Sequence, residues 1–388
     1  MSYSNSKLII EKNHDPLYKP KRLTPSREGW VEYVDSSPVL DFSAIKRLLH
    51  FISGVHNRFN YLHLQIMIRL PHMVAEDKLS IEVFESIVYS LIVDYSHRVV
   101  IDIKLDRQIL TDSFMYSPLQ FLTLKHYSID QFIEFYECHS ILRHYRRVIP
   151  KEWSYNGKLG DSIFTDVLWT IEHTVGNKEF ASALAEVSTE LVNNANEHND
   201  SDCLLDIDIG DEYEKKDGSD GAYYGISVSA ISFSEKALPD QLLNKITQGE
   251  YRGKRYNVVA DAFEKHKEFF NEDYSENDFF LAASFQDRIT GRPSSNSSGG
   301  TGLTRLIQTL EEYSDSSKCY VVTRDRAMFF FPDLLGYDEN GWIGFNKTND
   351  FQNAPPEAEV LGKSPIFIPG VAYNLSFVCK KGEENENS

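Results

Sequence analysis

The stretch that decides the fold is Glu190-Leu-Val-Asn-Asn-Ala-Asn-Glu-His198, which ends a segment with helical spacing. Glu190, Asn194 and His198 are spaced by four residues, so a helix aligns them in one stripe. An apolar stripe runs beside it, formed by Leu184, Val187, Leu191 and Ala195. At the margin of a buried face, a carboxylate can activate water and an amide oxygen can bind Mg²⁺. The alternative interpretation is a solvated helix face.

A glycine-rich turn, Ser297-Ser-Gly-Gly-Thr-Gly-Leu303, is the second motif. Three glycines within four residues let the backbone approach a ligand closely. The segment that follows repeats apolar residues with helical spacing, at Leu303, Leu306, Ile307 and Leu310. A turn of this kind presents free N–H groups and the positive end of a helix dipole to phosphates. A flexible linker before a helix is the alternative.

Together, and in this order, the two motifs resemble the nucleotide-binding fold of the GHKL group, which includes gyrase B, Hsp90, histidine kinases and MutL. ELVNNANEH (190–198) is similar to the N box of that family, especially the anti-sigma-factor and histidine-kinase-like version. GGTGL (299–303) is similar to the second glycine box, and PGVAYNLSF (369–377) resembles the closing strand. The resemblance covers about 160–380. It implies a two-layer α/β sandwich of the Bergerat type that binds ATP under a mobile lid.

The resemblance also implies roles for individual residues. Glu190 would be the water-activating base, and Asn194 would bind Mg²⁺. The remaining residues expected to bind the nucleotide are His198, Ser232, Arg292, Gly299, Gly300, Thr301 and Gly302. Arg292 belongs to a small, polar loop from which an arginine can reach a γ-phosphate when a lid closes, although an ordinary surface arginine explains it equally well. The implied cofactors are ATP and Mg²⁺.

One box departs from the family pattern. The family places Asp-x-Gly-x-Gly after the strand that follows the N box, and its Asp reads the adenine amino group. Here Ala230 replaces the Asp, and Ser232 and Ser234 replace the glycines. Three outcomes follow: a hydroxyl such as Ser229 or Ser232 reads adenine, another base is bound, or nucleotide binding is lost. A missing carboxylate removes a strong hydrogen-bond acceptor.

The charge distribution supports two domains. Residues 1–150 carry 18 Lys and Arg against 17 Asp and Glu, whereas the remainder carries 22 against 41. An acidic second half argues against sequence-independent nucleic-acid binding. No apolar run approaches the roughly 18 residues of a membrane span, and no signal pattern begins the chain, so we expect a cytoplasmic protein. The expected α+β organisation is a polar N-terminal arm (1–29), a β/α domain (30–150), a GHKL-like domain (155–380) with a lid insertion at about 236–298, and a polar tail (381–388).

The first domain shows periodicity but no catalytic constellation. Its pattern predicts a helix over 42–56, a strand over 61–70, a helix capped by Ser80, a strand over 99–103 and a helix over 128–148. His139 and His144 fall on the last helix. Since the pattern assigns neither histidine a carboxylate or thiol partner, we interpret them as surface histidines.

The function that this sequence predicts is a Mg-ATP-binding GHKL-type ATPase. It would act as a nucleotide-gated switch in a bacterial signalling, stress or defence system, together with a protein partner or as a homodimer. Two alternatives remain. Glu190 could activate a partner's hydroxyl, as in an anti-sigma-type protein Ser/Thr kinase, or the chain could be a degenerate, non-catalytic interaction module.

Overall fold

The computed structural model covers residues 5–382, except 21–22, 24, 27–28, 60–63, 71–73, 104–115, 157–158, 199–200, 216–217, 290–301 and 316–317. For residues 154–156, 159, 197–198 and 302 it describes the backbone alone. The described part of the chain is a mixed α/β protein with parallel and antiparallel sheets.

The N-terminal unit is a small parallel sheet with helices packed on it. Its three main strands are β1 (Trp30–Val34), β3 (Gln65–Leu70) and β5 (Arg98–Ile103), in the order β1-β3-β5. Its helices are α1 (Lys7–Lys12), α2 (Phe42–Phe59), α3 (Lys78–Val93) and α4 (Ile129–Glu137), and a short parallel pair joins β2 (Val39–Leu40) to β4 (Val74–Ala75). The expected helices and strands before residue 104 are present, but the strand predicted over 61–70 begins at Gln65, and residues 61–63 lie outside the described part. However, α3 begins at Lys78 and is capped by Asp77 rather than Ser80.

The helix predicted over 128–148 is wrong beyond residue 137. Ser128 caps α4 by accepting from the N–H of Gln131 at 3.3 Å, and the helix ends at Glu137. The chain then forms a hairpin of β6 (Cys138–Ile141) and β7 (His144–Ile149). Successive residues of β7 lie on opposite faces, since Tyr145 and Ile149 belong to one buried core and Val148 to another. This hairpin belongs to the large sheet that follows, not to the small parallel sheet.

The large sheet has six strands, and all its described pairings are antiparallel. Its further strands are β8 (Cys203–Gly210), β9 (Tyr223–Ser232), β10 (Tyr320–Phe329) and β11 (Leu361–Lys380), in the order β10-β11-β9-β8-β7-β6. β10 is one strand with register shifts near Arg324. The segment 369–377, which is similar to a closing strand, lies within β11. Only glycine fits at Gly370, where φ is +82° and a Cβ would lie 2.1 Å from the Ser232 carbonyl oxygen.

Both faces of the large sheet are covered. One face carries α5 (Leu159–Val175), α6 (Lys178–Asn193) and α10 (Gly302–Tyr313). The other packs against the N-terminal unit, chiefly α3. Strand β8 illustrates the division, because Leu205 and Ile207 join the core beneath the helices while Leu204 joins the opposite core. The two cores thus share one sheet.

The segment between β9 and α10 has helices and a core of its own. It contains α7 (Asp240–Thr247), α8 (Lys254–His266) and α9 (Glu276–Ala283). These helices enclose a separate apolar cluster that includes Phe263, Phe279 and Phe280. A capping box between Ser275 and Asp278 fixes the start of α9. The predicted lid insertion therefore includes a folded helical subdomain.

The predicted N-terminal arm contains a docked helix. Ile9 and Ile10 of α1 are buried, and α1 packs against β11. The Asn13 side chain joins the two segments. Its Nδ2 donates to the Phe367 carbonyl at 2.7 Å, and its Oδ1 accepts from the Phe367 N–H at 2.8 Å.

Candidate functional site

Helix α6 carries the predicted catalytic stripe. Asn177 caps the helix by accepting from the N–H of Phe180 at 3.1 Å. Leu184, Val187 and Leu191 are among its buried residues. Glu190 and Asn194 lie one turn apart, and both are partly exposed. The stripe thus lies at the margin of the core.

The end of the quoted stretch leaves regular helical geometry. Asn194–His198 forms a π-helical turn, a feature often found at functional sites. Nδ2 of Asn194 is buried and has no hydrogen-bond partner among the described residues. Asn196 is buried, and neither its amide nitrogen nor its amide oxygen has such a partner. The side chain of His198 lies outside the described part of the structure.

The antiparallel packing of α6 and α10 brings the second motif towards the first. Near the start of α6, the Phe180 ring meets Tyr313, at the end of α10, edge to face at 4.9 Å. Further along α6, Glu186 pairs with Arg305 of α10 at 2.8 Å. The first turn of α10 is therefore directed towards the end of α6 that carries Glu190. Gly302 begins α10, whereas Arg292, Gly299, Gly300 and Thr301 lie outside the described residues.

The divergent box lies on β9. Ala230 is buried on the helix-facing side of the sheet, where it pairs with Tyr373 of β11. The Ser232 hydroxyl accepts from the N–H of Val371 at 3.3 Å, so it is engaged at the β9–β11 junction. Ser229 lies on the opposite face and donates to Glu82 of α3. Consequently, Ser229 does not face α6.

Several buried polar atoms near the end of α6 and on the adjoining strand are unsatisfied within the described structure. They are Ser188 Oγ, Thr189 Oγ1, Asn194 Nδ2, both amide atoms of Asn196, Ser201 Oγ and Tyr373 Oη. A buried polar group without a partner costs about 1–3 kcal/mol. Such groups in one region are expected where a ligand or water completes the hydrogen bonds. We call Glu190, Asn194, Asn196 and Tyr373 the helix-end site.

The opposite face of the same sheet holds a buried group of charges that sequence reasoning missed. We call it the ionic cluster, and its members are Lys78, Glu82, Glu85, His144, Arg146, Asp206 and Asp208. Each side chain is at most 5% exposed. They come from α3, β7 and β8, so the cluster joins the N-terminal unit to the large sheet.

Asp206 is the centre of this cluster. One of its oxygens lies 2.7 Å from Lys78 Nζ and 3.0 Å from His144 Nε2. The other lies 2.8 Å from a guanidinium nitrogen of Arg146. Burial alone would raise the pKa of Asp206, but Lys78, His144 and Arg146 hold it well below its usual range. Asp206 is therefore an ionised carboxylate that holds three side chains together.

The other carboxylates of the ionic cluster behave differently. Burial, and then the charge of Asp206, raise the pKa of Glu82 well above its usual value. Burial raises the pKa of Asp208 to about 6, even though Lys78 contacts it. Glu85 pairs with Arg146 at 2.7 Å and accepts from Ser117 at 2.5 Å, and burial still raises its pKa. The cluster contains four carboxylates and two permanently charged cations, Lys78 and Arg146. The raised pKa values of Glu82, Glu85 and Asp208 allow bound protons to neutralise the remaining negative charge.

Three members of the cluster also have spacing suited to a metal ion. Ligand atoms of His144, Asp206 and Asp208 all lie within 4.8 Å of one another. However, Lys78 Nζ already contacts both carboxylates. An ammonium group at this position supplies the positive charge that a metal would otherwise bring.

The interpretation of His144 as a surface residue is wrong. It is buried on β7, its Nε2 faces Asp206, and its Nδ1 lies 2.7 Å from His139 Nδ1. The sequence does contain a signal for this cluster. Lys78, Glu82 and Glu85 recur with helical spacing in an apolar helix, and Asp206 and Asp208 alternate with Leu205, Ile207 and Ile209 along β8.

A cleft of about 700 Å³ lies away from both polar groups. Its lining includes Asp273, Tyr274, Arg326 and Glu357. Arg326 is paired with Asp278 at 2.6 Å. No side chain described as lining this cleft has a buried, unsatisfied polar atom, so the cleft lacks the feature that marks the helix-end site.

Comparisons with protein-family models, curated proteins and solved structures found no match. Within the described residues, no helix has the length and apolar character needed to cross a membrane.

Proposed function

We propose that this chain binds a nucleoside triphosphate with Mg²⁺ at the helix-end site and acts as a nucleotide-gated switch of the GHKL type. The observation that carries the proposal is the packing of α6 against α10. It directs the start of α10 towards Glu190 and Asn194, where buried polar atoms lack partners. A helix start offers N–H groups and a positive dipole end to phosphates.

Two residues on one face of α6 have different roles in the proposed chemistry. The Asn194 side-chain oxygen supplies a ligand that suits Mg²⁺. Glu190, one turn earlier, lies at the margin of the core and can accept a proton from an attacking water. Hydrolysis would then return the switch to its starting state. The fold supports this proposal, because the two helices lie side by side on one face of an antiparallel sheet with a helical insertion between β9 and α10.

Calorimetric titration with ATP, ADP and GTP, each with and without Mg²⁺, tests the proposal. We expect Mg²⁺-dependent binding of a triphosphate by the wild type. Asn194→Ala should remove most of the Mg²⁺ dependence because it deletes the proposed ligand. Asn193→Ala is the matched control, since Asn193 is the neighbouring asparagine and lies beside Gly160. Absence of nucleotide binding by the folded wild type would refute the proposal and favour a non-catalytic interaction module.

The same preparation can distinguish hydrolysis from phosphoryl transfer. Release of inorganic phosphate by the purified protein alone supports a hydrolase. Transfer of labelled γ-phosphate to a protein hydroxyl supports a kinase, in which Glu190 activates that hydroxyl instead of water.

A further inference from the structure

Tyr373 contains a buried hydroxyl that no described part of the fold satisfies. The residue lies on β11, is 1% exposed and belongs to the core beneath the helices. Its register partner on β9 is Ala230, which has no polar side-chain atom. Tyr373 Oη has no hydrogen-bond partner among the described residues. A phenylalanine would fill the same apolar space without this unsatisfied group.

The surroundings keep this hydroxyl protonated. Burial raises the pKa of Tyr373 far above its usual value, and the nearby Glu190 carboxylate raises it further. Tyr373 shares one buried core with Leu191 and Ala195, which adjoin the predicted catalytic stripe. A neutral phenol both donates and accepts a hydrogen bond, whereas a carboxylate only accepts. The hydroxyl can therefore accept from an exocyclic amine or donate to an exocyclic carbonyl.

We infer that the Tyr373 hydroxyl contacts the base of the bound nucleotide, in the place left without a polar side chain at Ala230. This inference rests on the nucleotide binding proposed above and adds the substrate class. A group that donates and accepts fits both the amine of adenine and the carbonyl of guanine. The ligand class is therefore nucleoside triphosphates whose base carries an exocyclic amine or carbonyl, with weak discrimination between ATP and GTP.

Tyr373→Phe tests the inference because it removes one oxygen atom and keeps the ring. We expect about tenfold weaker binding of both ATP and GTP. Binding of inorganic tripolyphosphate, which has no base, should remain within twofold of the wild type. Urea denaturation without nucleotide should show stability equal to or above that of the wild type, since the removed hydroxyl has no described partner.

Tyr145→Phe is the matched control. Tyr145 is a second buried tyrosine on the helix-facing side of the sheet, and its hydroxyl also has no hydrogen-bond partner among the described residues. It differs from Tyr373 in its charged neighbour, which is Arg147 rather than Glu190. Its substitution should leave the affinities for ATP and GTP within twofold of the wild type.

The other outcomes distinguish a failure of the base contact from a failure of nucleotide binding. Unchanged ATP and GTP affinities in Tyr373→Phe would refute the base contact and leave nucleotide binding intact. Equal weakening of tripolyphosphate would place the hydroxyl at the phosphates and overturn the inference, as would a strong preference of the wild type for one purine. A wild type that binds tripolyphosphate but no nucleotide, or neither, would contradict the proposed function itself.

Discussion

The two faces of the six-stranded sheet carry polar groups of opposite character. In the ionic cluster, Asp206 alone holds Lys78, His144 and Arg146 within 3.0 Å. At the helix-end site, the buried amide of Asn196 and the hydroxyl of Tyr373 have no hydrogen-bond partner among the described residues. The ionic cluster also contains buried atoms without a hydrogen-bond partner, such as Asp208 Oδ1, but its carboxylates face cations of the same chain. A network that its own chain neutralises stabilises a fold, whereas uncharged groups left unsatisfied are suited to a ligand. Burial of polar side chains alone does not distinguish the two roles.

The largest stability effect should come from breaking the ionic cluster. Asp206→Ala leaves Lys78, His144 and Arg146 without their shared carboxylate inside the fold. We expect the free energy of unfolding to fall by about 3–5 kcal/mol. Urea denaturation followed by circular dichroism measures this loss. Glu186→Ala removes a half-exposed partner of Arg305 and should cost less than about 1 kcal/mol. Similar losses in both variants would contradict the structural role of the cluster.

The next effect should appear in turnover rather than in stability. Glu190→Gln keeps the shape of the side chain but removes the proposed base. We expect nucleotide hydrolysis to slow by about 10²–10⁴-fold, with nucleotide affinity little changed. Glu186→Gln, one turn earlier, should retain the wild-type rate because Glu186 is exposed beside Arg305. Wild-type turnover by Glu190→Gln would remove Glu190 from the mechanism.

A pH dependence should separate the ionic cluster from surface charge pairs. The pKa of Asp208 is about 6 in the folded protein and about 4 in an unfolded chain. Between these values the folded state binds more protons at Asp208, so this residue's contribution to stability falls as pH rises. From pH 4.5 to 7, the wild type should lose stability relative to Asp208→Asn, on the order of 1–3 kcal/mol.

Asp211 provides the opposite case for this measurement. It is exposed, and its hydrogen bond from Arg143 lowers its pKa. Its contribution to stability is present above about pH 4 and is lost as pH falls through the lowered pKa. The stability of the wild type relative to Asp211→Asn should therefore increase slightly as pH rises through this range. A shift of the same sign for both aspartates would contradict the assigned environments.

The smallest expected effects on stability concern one hydroxyl and one amide, on opposite sides of the large sheet. Ser229→Ala removes the donor to Glu82 and should lower the free energy of unfolding by about 1–3 kcal/mol. Asn196→Ala should cost less than about 1 kcal/mol without nucleotide, because its amide has no described partner to lose. Parallel denaturation curves measure both. A larger loss for Asn196→Ala would show that the fold already uses this amide.

Local patterns predicted most elements of the fold but not their assembly. The spacing of apolar residues placed α6 and α10 correctly because each has one continuous buried face. It extended α4 to residue 148 because Ile141, Tyr145 and Val148 of the hairpin are spaced by four and three residues, as on one face of a helix. The antiparallel contact that brings the start of α10 towards Glu190 depends on packing, which neither helix specifies alone.

The ionic cluster was not predicted for a related reason. The sequence around His144 contains no carboxylate partner, since Asp206 lies 62 residues further along the chain. Strand pairing between β7 and β8 puts them on the same face. The pattern of one helix or strand shows that a charged residue lies on a buried face. It does not show which residue elsewhere in the chain neutralises that charge.

The two hydrogen bonds between Asn13 and Phe367 join segments that the ribosome synthesises at different times. The two residues are 354 positions apart, and β11 fills the gap between β9 and β10. At about 5–20 residues per second, synthesis from one residue to the other takes roughly 20–70 s. During that time α1 lacks its docking strand, and β9 and β10 expose unpaired edges. Folding is also slow when contacting residues are far apart in the sequence, as they are here. The nascent chain therefore completes its central sheet only when the last strand arrives, and until then it is exposed to mispairing.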